Sequence, residues 1–214
     1  MPSNFRGKFI TFEGGEGVGK STQVKLLAEK LSYIGQKVHV TREPGGGEVG
    51  EKIRDLLKKT KEIDPICEIL LLFAARRDHF VKLIFPLLND GYFVICDRFY
   101  DSSLVYQGLL KKVSVEDIMK LKQMTIGDFE PDLTIILDLD TDISIRRVKS
   151  RHILDDEYDE MGHQQYQMIR SGFQKISEIF QFRTVLINAE GSEKKIFSKI
   201  WKIFQKKYGE LTNN

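Results

Sequence analysis

Residues 12–22 form a glycine-rich segment between an apolar run and a stretch with helical spacing. The run at 9–12 precedes the segment, and Val24, Leu27 and Leu31 follow it at intervals of three and four residues. We therefore predict a turn between a strand and a helix. The segment matches the pattern G-x-x-x-x-G-K-S, in which glycines allow backbone N–H groups to surround a polyphosphate. The alternative is a glycine-rich turn that binds nothing, but a strand before it and a helix after it favour phosphate binding.

The whole segment is a candidate for binding the phosphates of a nucleotide. Lys20 is expected to reach the β- and γ-phosphate oxygens, and the Ser21 hydroxyl can bind Mg²⁺. The N-terminus of the helix adds a partial positive charge. The predicted ATP-binding residues are Gly14, Gly15, Glu16, Gly17, Val18, Gly19, Lys20, Ser21 and Thr22.

Short apolar strands alternate with helical patterns along the rest of the chain. Strands are predicted at 9–12, 37–41, 92–96, 133–138 and 184–187, with helical spacing between them. This alternation is typical of an α/β fold with a five-stranded parallel sheet covered by helices on both faces. Because no repeat or low-complexity linker interrupts it, one domain over 1–214 is predicted. The charged segment at about 147–160 is either a solvated loop or a short lid.

Composition excludes several classes of partner. With 33 basic and 31 acidic residues, the net charge of +2 is too balanced to indicate a nucleic acid or a membrane. Cys67 and Cys96 are isolated, which favours a reduced, cytoplasmic protein. The sequence contains no run of 18 apolar residues, so no membrane span is predicted. The lysine-rich stretch at 194–207 contains apolar residues at helical spacing, so we interpret it as a solvated helix face rather than a basic binding patch.

Charged residues follow the second and third predicted strands. Arg42 and Glu43 come after one of them, and Asp97 and Arg98 end the other. Ligands of open parallel sheets bind at this edge, and an acid there, downstream of a phosphate loop, is typical of a magnesium carboxylate. Arg98 could hold a second phosphate. A solvated connector at Arg42 and Glu43, and a simple turn pair at Asp97 and Arg98, remain the alternatives.

A phosphate loop alone indicates nucleotide binding, which GTPases, motor ATPases and many kinases share. The sequence has no Asn-Lys-x-Asp guanine reader, which argues against a GTPase. Arg42, Arg77 and Arg98 stand where they could hold a second anion opposite the phosphates of ATP. Transfer of a phosphoryl group to a phosphate acceptor brings negative groups together, so it depends on Mg²⁺, Lys and Arg more than on a general base.

Five segments, in order, resemble the motifs of bacterial thymidylate kinases, which are P-loop nucleoside monophosphate kinases. They are 12–22, 41–46, 72–77, 97–108 and 187–189, so the resemblance covers nearly the whole chain. It implies transfer of the γ-phosphoryl group of MgATP to dTMP, giving dTDP for dTTP synthesis. It also implies a homodimer.

The resemblance assigns roles around the substrate. Phe73 would stack on thymine, Arg77 would bond the base, and Ser103 and Gln107 would help to read its edge. Tyr106 would crowd the 2′ position of the sugar. The full set of implied substrate-binding residues is Glu13, Arg42, Glu43, Pro44, Phe73, Arg77, Arg98, Ser102, Ser103, Tyr106 and Gln107.

The resemblance also assigns roles at the phosphates. Arg42 and Arg98 would hold the acceptor phosphate, and Glu16 would contact the ribose 3′-hydroxyl. The implied metal-binding residues are Ser21, Asp97 and Glu13.

The lid departs from the family pattern, because acids stand where the family commonly has an arginine. The phosphate loop contains no arginine either, so another cation must stabilise the transition state. Arg147, Lys149 or Arg151 is predicted to supply it, with Arg151 the best placed. Turnover of Arg151→Ala within about threefold of wild type, under about 1 kcal/mol, would contradict this assignment. The predicted catalytic residues are Lys20, Arg98, Arg151, Arg147 and Glu16.

Two rival functions remain open at this stage. Another nucleotide or nucleoside kinase would share the phosphate loop and the arginines. A nucleotide-binding regulator that signals by ordering its switch loops would share the loop alone.

Overall fold

A computed structural model describes residues 5–60, 62–150 and 161–212 of the chain. Within them, five parallel strands form one sheet in the order β2-β3-β1-β4-β5. The predicted parallel α/β fold is confirmed. The strands are β1 (Lys8–Glu13), β2 (Val38–Arg42), β3 (Phe93–Asp97), β4 (Leu133–Asp138) and β5 (Thr184–Asn188).

Helices connect these strands on both faces of the sheet. They are α1 (Lys20–Tyr33), α2 (Glu48–Lys59), α3 (Pro65–His79), α4 (Phe85–Asn89), α5 (Tyr100–Ser103), α6 (Val115–Ile126), α7 (Thr141–Lys149), α8 (His163–Ile179) and α9 (Glu193–Thr212). A π-helical turn at Phe80–Ile84 joins α3 to α4, and a second at Leu104–Leu110 extends α5. Among the helices described, none has the length and apolar content needed to cross a bilayer.

Local sequence determines where α3 begins. The Asp64 side chain accepts hydrogen bonds from the backbone N–H groups of Ile66 (2.9 Å) and Cys67 (3.0 Å), and Pro65 occupies the first helical position. Both features are strong N-terminal signals, because the cap satisfies N–H groups that have no partner within the helix and proline has no N–H to lose. The helix then carries its residues along one side of the site.

Successive residues of β1 point to opposite faces of the sheet and enter two separate apolar clusters. Phe9 packs into a cluster with Phe73, Phe80 and Phe99, whereas Ile10 packs into a cluster with residues of α1 and α9. Burial on both faces explains why the strands are almost continuously apolar. The predicted helix over 194–207 is confirmed as part of α9, and its apolar residues Ile196, Ile200 and Phe204 are buried.

The strand register brings the predicted site residues to one edge of the sheet. Asp97 at the end of β3 is paired with Phe12 of β1 on one side and with Arg42 of β2 on the other. The loops that follow β1, β2 and β3 therefore leave the sheet side by side. A ligand of the phosphate loop would lie at this carboxyl edge.

Candidate active site

The loop between β1 and α1 needs glycine for two different reasons. Gly14, Gly17 and Gly19 have φ values of 132°, 74° and 97°, a region that favours glycine. A Cβ atom at Gly14 would lie 2.5 Å from the carbonyl oxygen of Leu137, and one at Gly17 would lie 2.5 Å from that of Ser144. The loop is thus pressed against the start of α7 and the end of β4, and it has the strand-turn-helix form that was predicted.

Lys20 is buried at the start of α1 and points back into the loop. Its Nζ donates to the carbonyl oxygens of Gly14 (3.0 Å) and Gly15 (2.8 Å). Burial, followed by the nearby charge of Arg98, lowers the pKa of this ammonium below its usual value. A buried cation at this place is ready to exchange carbonyl oxygens for phosphate oxygens.

A cleft with a volume of about 390 Å³ opens beside the loop. That volume is within the range of small-molecule sites. Glu16, Gly17, Gly19, Lys20 and Ser21 form its loop side, whereas Gly15 and Val18 line a smaller neighbouring cavity, and Gly14 and Thr22 line neither. Of the predicted substrate-binding residues, those that line the cleft are Arg42, Glu43, Pro44, Arg98, Ser102, Ser103, Tyr106 and Gln107.

Asp97 and Ser21 form a pair of oxygen groups in the cleft wall. Asp97 Oδ2 accepts a hydrogen bond of 2.9 Å from Ser21 Oγ. Asp97 Oδ1 is buried and has no hydrogen-bond partner among the described residues. A carboxylate oxygen without a partner, next to a hydroxyl at the start of the helix, is a donor set that suits Mg²⁺.

Arg98 reaches the cleft from a left-handed backbone conformation. Its φ is 70°, and its backbone N–H donates to the carbonyl oxygen of Phe12 at 2.9 Å. A non-glycine residue in this region is strained, and such strain is common at functional sites. The guanidinium donates to Gly14 O (3.2 Å), Ser102 Oγ (3.1 Å) and Tyr106 OH (3.2 Å), and it pairs with the Glu16 carboxylate. These contacts hold the cation at the loop side of the cleft.

Glu13, which was predicted to bind substrate and metal, does not line the cleft. Its side chain is completely buried at the end of β1. One carboxylate oxygen accepts from the backbone N–H of Phe99 (2.7 Å) and the other from Ser102 Oγ (2.6 Å). Both oxygens are therefore occupied in shaping the turn after β3, and this turn is what positions Arg98. Burial, reinforced by the negative charge of Asp101, raises the pKa of Glu13 to about 7.

This raised pKa predicts how stability depends on pH. Glu13 has a pKa of about 7 in the folded protein and about 4.5 in the unfolded chain, so between these pH values the folded state holds a proton that the unfolded state has released. Raising the pH through this range therefore lowers the free energy of unfolding, and the stability present below about pH 4.5 is lost by about pH 7. The lost stability is on the order of 3 kcal/mol. Glu13→Gln keeps an acceptor for the Phe99 N–H group and removes the titratable carboxyl group. In urea unfolding, the free energy of unfolding of the variant should therefore rise relative to that of the wild type between pH 5 and pH 8. A difference in unfolding free energy that stays constant over this range would contradict the prediction.

A buried hydrogen-bond network holds the loop after β2 in place. The Glu43–Pro44 peptide bond is cis. The Glu43 carboxylate accepts from Arg76 Nε at 2.7 Å and is 3.0 Å from His79 Nδ1, and Thr41 Oγ1 is 2.7 Å from His79 Nε2. Although burial by itself raises the pKa of Glu43, the charge of Arg76 and the bond to His79 bring it below its usual value. The network attaches the loop to α3.

On α3, the predicted base-binding residues Phe73 and Arg77 lie one position away from the residues that face the cleft. Phe73 is 1% exposed and packs in the core, and exposed Arg77 donates to the carbonyl oxygen of Thr125 at 2.7 Å. Leu72 and Arg76 line the cleft instead. Within each pair the two residues are four positions apart, so both pairs have the same helical spacing. Because successive residues of a helix point about 100° apart, a shift of one residue places the pair on a different face of the helix.

Arg76 is held in the cleft wall by several contacts. Besides the bond to Glu43, its two terminal nitrogens are each 3.3 Å from Ser103 Oγ. The guanidinium lies 4.4 Å from the centre of the Phe73 ring, so Phe73 supports the cation from within the core. Sequence reasoning also missed Glu68, an acid inside an apolar stretch that lines the same cleft. An isolated acid on an apolar helix face was the available signal.

Two of the predicted catalytic residues, Arg147 and Arg151, belong to the segment after β4. Arg151 lies outside the described residues, as does most of the predicted lid. Arg147 lies near the end of α7 and is half-buried. The roles of both arginines stay predictions.

Comparisons with known proteins agree on one family. A family model described as thymidylate kinase matches residues 12–200. The thymidylate kinase of Caldicellulosiruptor saccharolyticus is 42% identical over 199 residues, which is 92% of this chain and 96% of that protein. The thymidylate kinase of Bradyrhizobium sp. (strain ORS 278) is 40% identical over 200 residues, 92% of this chain and 88% of the relative. The crystal structure of thymidylate kinase from Ehrlichia chaffeensis superposes with a TM-score of 0.78 at 35% identity, covering 93% of this chain and 99% of that one.

Proposed function

Because the chain belongs to the thymidylate kinase family, it phosphorylates dTMP with ATP to give dTDP for dTTP synthesis, and we propose that both nucleotides meet in the cleft beside the phosphate loop. One observation carries the proposal. The cleft has a phosphate-binding loop on one side and arginines from two other segments, Arg42 and Arg98, on its walls. Two polyanions can lie end to end there, because cations from separate segments offset their repulsion.

The phosphates of ATP would occupy the loop. The backbone N–H groups of the loop and the Nζ of Lys20 would donate to them. Lys20 would leave the carbonyl oxygens of Gly14 and Gly15, which it contacts at 3.0 and 2.8 Å, and follow the charge that develops on the γ-phosphoryl group. In the transition state the same ammonium stabilises the leaving phosphate oxygens.

Ser21 and Asp97 would hold Mg²⁺, through the serine hydroxyl and the buried carboxylate oxygen that lacks a partner among the described residues. Magnesium sites in phosphotransferases use one or two carboxylates and take their other ligands from phosphates and water. When bound, the ion neutralises charge on the phosphates and orients them for in-line transfer.

The acceptor phosphate of dTMP would bind between Arg42 and Arg98. The Arg42 guanidinium is held by Glu51 at 2.9 and 3.1 Å on the outer side of the cleft, and Arg98 is held by its partners on the inner side. Guanidinium groups suit a phosphate dianion because they donate two parallel hydrogen bonds. Held from behind, they keep the acceptor oxygen close to the γ-phosphorus atom.

The base of dTMP would lie at the other end of the cleft. That end combines apolar and polar groups, which is how a small base is usually selected. The side chains that line it are Glu68, Leu72, Arg76, Phe99, Ser103 and Gln107. We therefore move the base-binding role from Phe73 and Arg77 to Leu72 and Arg76.

A side-by-side assay of dTMP, dUMP, dGMP and thymidine with MgATP tests the proposal. Formation of ADP should be fastest with dTMP, and thymidine should be inactive because it offers the arginines no phosphate. Equilibrium dialysis should find ATP and dTMP bound together on each chain. Binding of a single nucleotide per chain, without ADP formation, would support the regulator instead.

The register of α3 predicts opposite effects for two neighbouring residues. Leu72→Ala should raise KM for dTMP by about tenfold, since it removes apolar area facing the base, and should change stability little. Phe73→Ala should lower the free energy of unfolding by about 3–5 kcal/mol by leaving a cavity in the core. Steady-state kinetics and urea unfolding of both variants check this. A Phe73→Ala variant that folds well but loses dTMP affinity selectively would restore the original assignment.

The homodimer remains a proposal. Ile66 and Leu70 lie one helical turn apart on α3 and are 49% and 50% exposed, as an apolar contact between two copies would require. Sedimentation equilibrium of wild type and of Leu70→Glu would test it.

The single-domain boundary, the lid and the cytoplasmic location stay predictions.

A further inference from the structure

A buried carboxylate lies in the base end of the cleft and makes no predicted contact with either nucleotide. Glu68, in the first turn of α3, is 5% exposed. One of its oxygens accepts from Gln107 Nε2 at 2.9 Å and the other from Lys111 Nζ at 2.6 Å. Gln107 is 2% exposed and belongs to the π-helical turn after α5. The contacts therefore join two helical segments across the floor of the cleft.

The bond to Glu68 determines which way the Gln107 amide points. A carboxylate only accepts hydrogen bonds, so the amide must present its NH₂ group to Glu68. Its carbonyl oxygen is then on the opposite side of the group. Without a fixed partner, a glutamine amide can turn by 180° and exchange a donor for an acceptor. Glu68 removes this freedom.

We propose that Glu68 is a positioning residue that makes Gln107 an obligatory acceptor and thereby selects bases that carry a ring N–H. The inference rests on the proposed function, because it requires the base to lie at the Leu72 and Arg76 end of the cleft. Thymine presents an N3–H donor beside the O4 acceptor. Arg76 has only donors, so Arg76 with Gln107 Oε1 forms a donor–acceptor pair that matches O4 and N3–H.

Cytosine has the reverse pattern, with an N3 acceptor beside an N4 amino donor. It would place its acceptor against the carbonyl oxygen of Gln107 and its donor against Arg76. Unpaired polar groups in a buried site are a strong basis for rejection. Uracil presents the same hydrogen-bonding edge as thymine. The Arg76 and Gln107 pair therefore discriminates dTMP and dUMP from dCMP, but it does not discriminate dTMP from dUMP.

Glu68→Gln tests the proposal with an isosteric side chain. A neutral amide at 68 can donate or accept, so Gln107 is free to turn. We expect KM for dTMP and dUMP to rise together by about tenfold, the effect of one lost hydrogen bond, with kcat within about threefold. The ratio of kcat/KM for dTMP over dCMP should fall by at least about tenfold. Glu48→Gln, an equally conservative change at an exposed residue of α2, should leave all three substrates unchanged.

A swapped variant keeps the test decisive if Glu68→Gln is unstable. In Glu68→Gln with Gln107→Glu, the carboxylate at 107 accepts from the amide at 68 and again presents only acceptors to the base. Selectivity for dTMP over dCMP should return. A folded Glu68→Gln variant whose ratio stays within about twofold of wild type, or a folded swapped variant that remains unselective, would overturn the inference. Failure of the wild type to phosphorylate dTMP would instead contradict the proposed function.

Discussion

Replacing Lys20 by methionine is expected to lower kcat by about a thousandfold, or about 4 kcal/mol of transition-state stabilisation. The Lys20 ammonium is buried in the phosphate loop, and within the described part of the chain it donates to two carbonyl oxygens that a phosphate can replace. Methionine has a similar length and an apolar stem, so it fills the same space without the charge. The loss should appear mainly in kcat, because the charge that Lys20 meets grows as the γ-phosphoryl group transfers.

The control is Lys25→Met on the same helix. The Lys25 side chain is 77% exposed and pairs with Glu29 on the surface. A coupled assay of ADP release, with both substrates saturating, should separate the two variants, while their thermal melting temperatures stay close to that of the wild type. Turnover of Lys20→Met within about tenfold of wild type would mean that the loop positions phosphate through its backbone alone.

Replacing Arg98 by methionine is expected to lower kcat/KM for dTMP by about a thousandfold, near the upper end of the loss of one preorganised donor. Arg98 stands next to Asp97, the proposed magnesium ligand, and reaches both the loop and Tyr106. Its guanidinium would contact the acceptor phosphate in the ground state and in transfer, so KM should rise and kcat should fall. Arg98→Lys should recover only part of the loss, because an ammonium cannot donate two parallel hydrogen bonds from a planar group.

Removing Arg98 also leaves the Glu16 carboxylate without this partner, which is a cost unrelated to catalysis. The double variant Glu16→Gln with Arg98→Met removes both charges and controls for it. If the double variant recovers the stability of the wild type but not its activity, and Glu16→Gln alone remains active, the loss belongs to the contact of Arg98 with substrate. If it recovers activity as well, Arg98 serves mainly to neutralise Glu16, and the assignment to the acceptor phosphate fails.

Much of the fold was readable because it depends on local patterns. Alternating apolar strands and helices predicted the parallel sheet, and glycines at 14, 17 and 19 marked the phosphate loop, since positive φ and close backbone approach leave few other choices. The order of the strands brought Asp97 beside Ser21, as the motif required. These features need only nearest neighbours in sequence and the general rules of parallel sheets.

The residues that face the cleft could not be predicted from local sequence patterns. Phe73 with Arg77 and Leu72 with Arg76 have the same spacing, and only the packing of α3 decides which pair faces the cleft. Glu13 likewise ends a strand as a metal ligand would, but the turn after β3 folds over it and takes both of its oxygens. Helix rotation and long-range closure depend on the whole core.

By itself, the sequence determined the class of fold, the phosphate loop and the presence of arginines at the carboxyl edge of the sheet, because each is encoded in short segments with a direct physical meaning. Only the tertiary structure decided that Arg76 rather than Arg77 enters the cleft, and that Glu68 meets Gln107 across 39 positions of the chain. The reason is that a side chain's direction within a helix, and its partner in another one, are determined by packing between elements that no local pattern records.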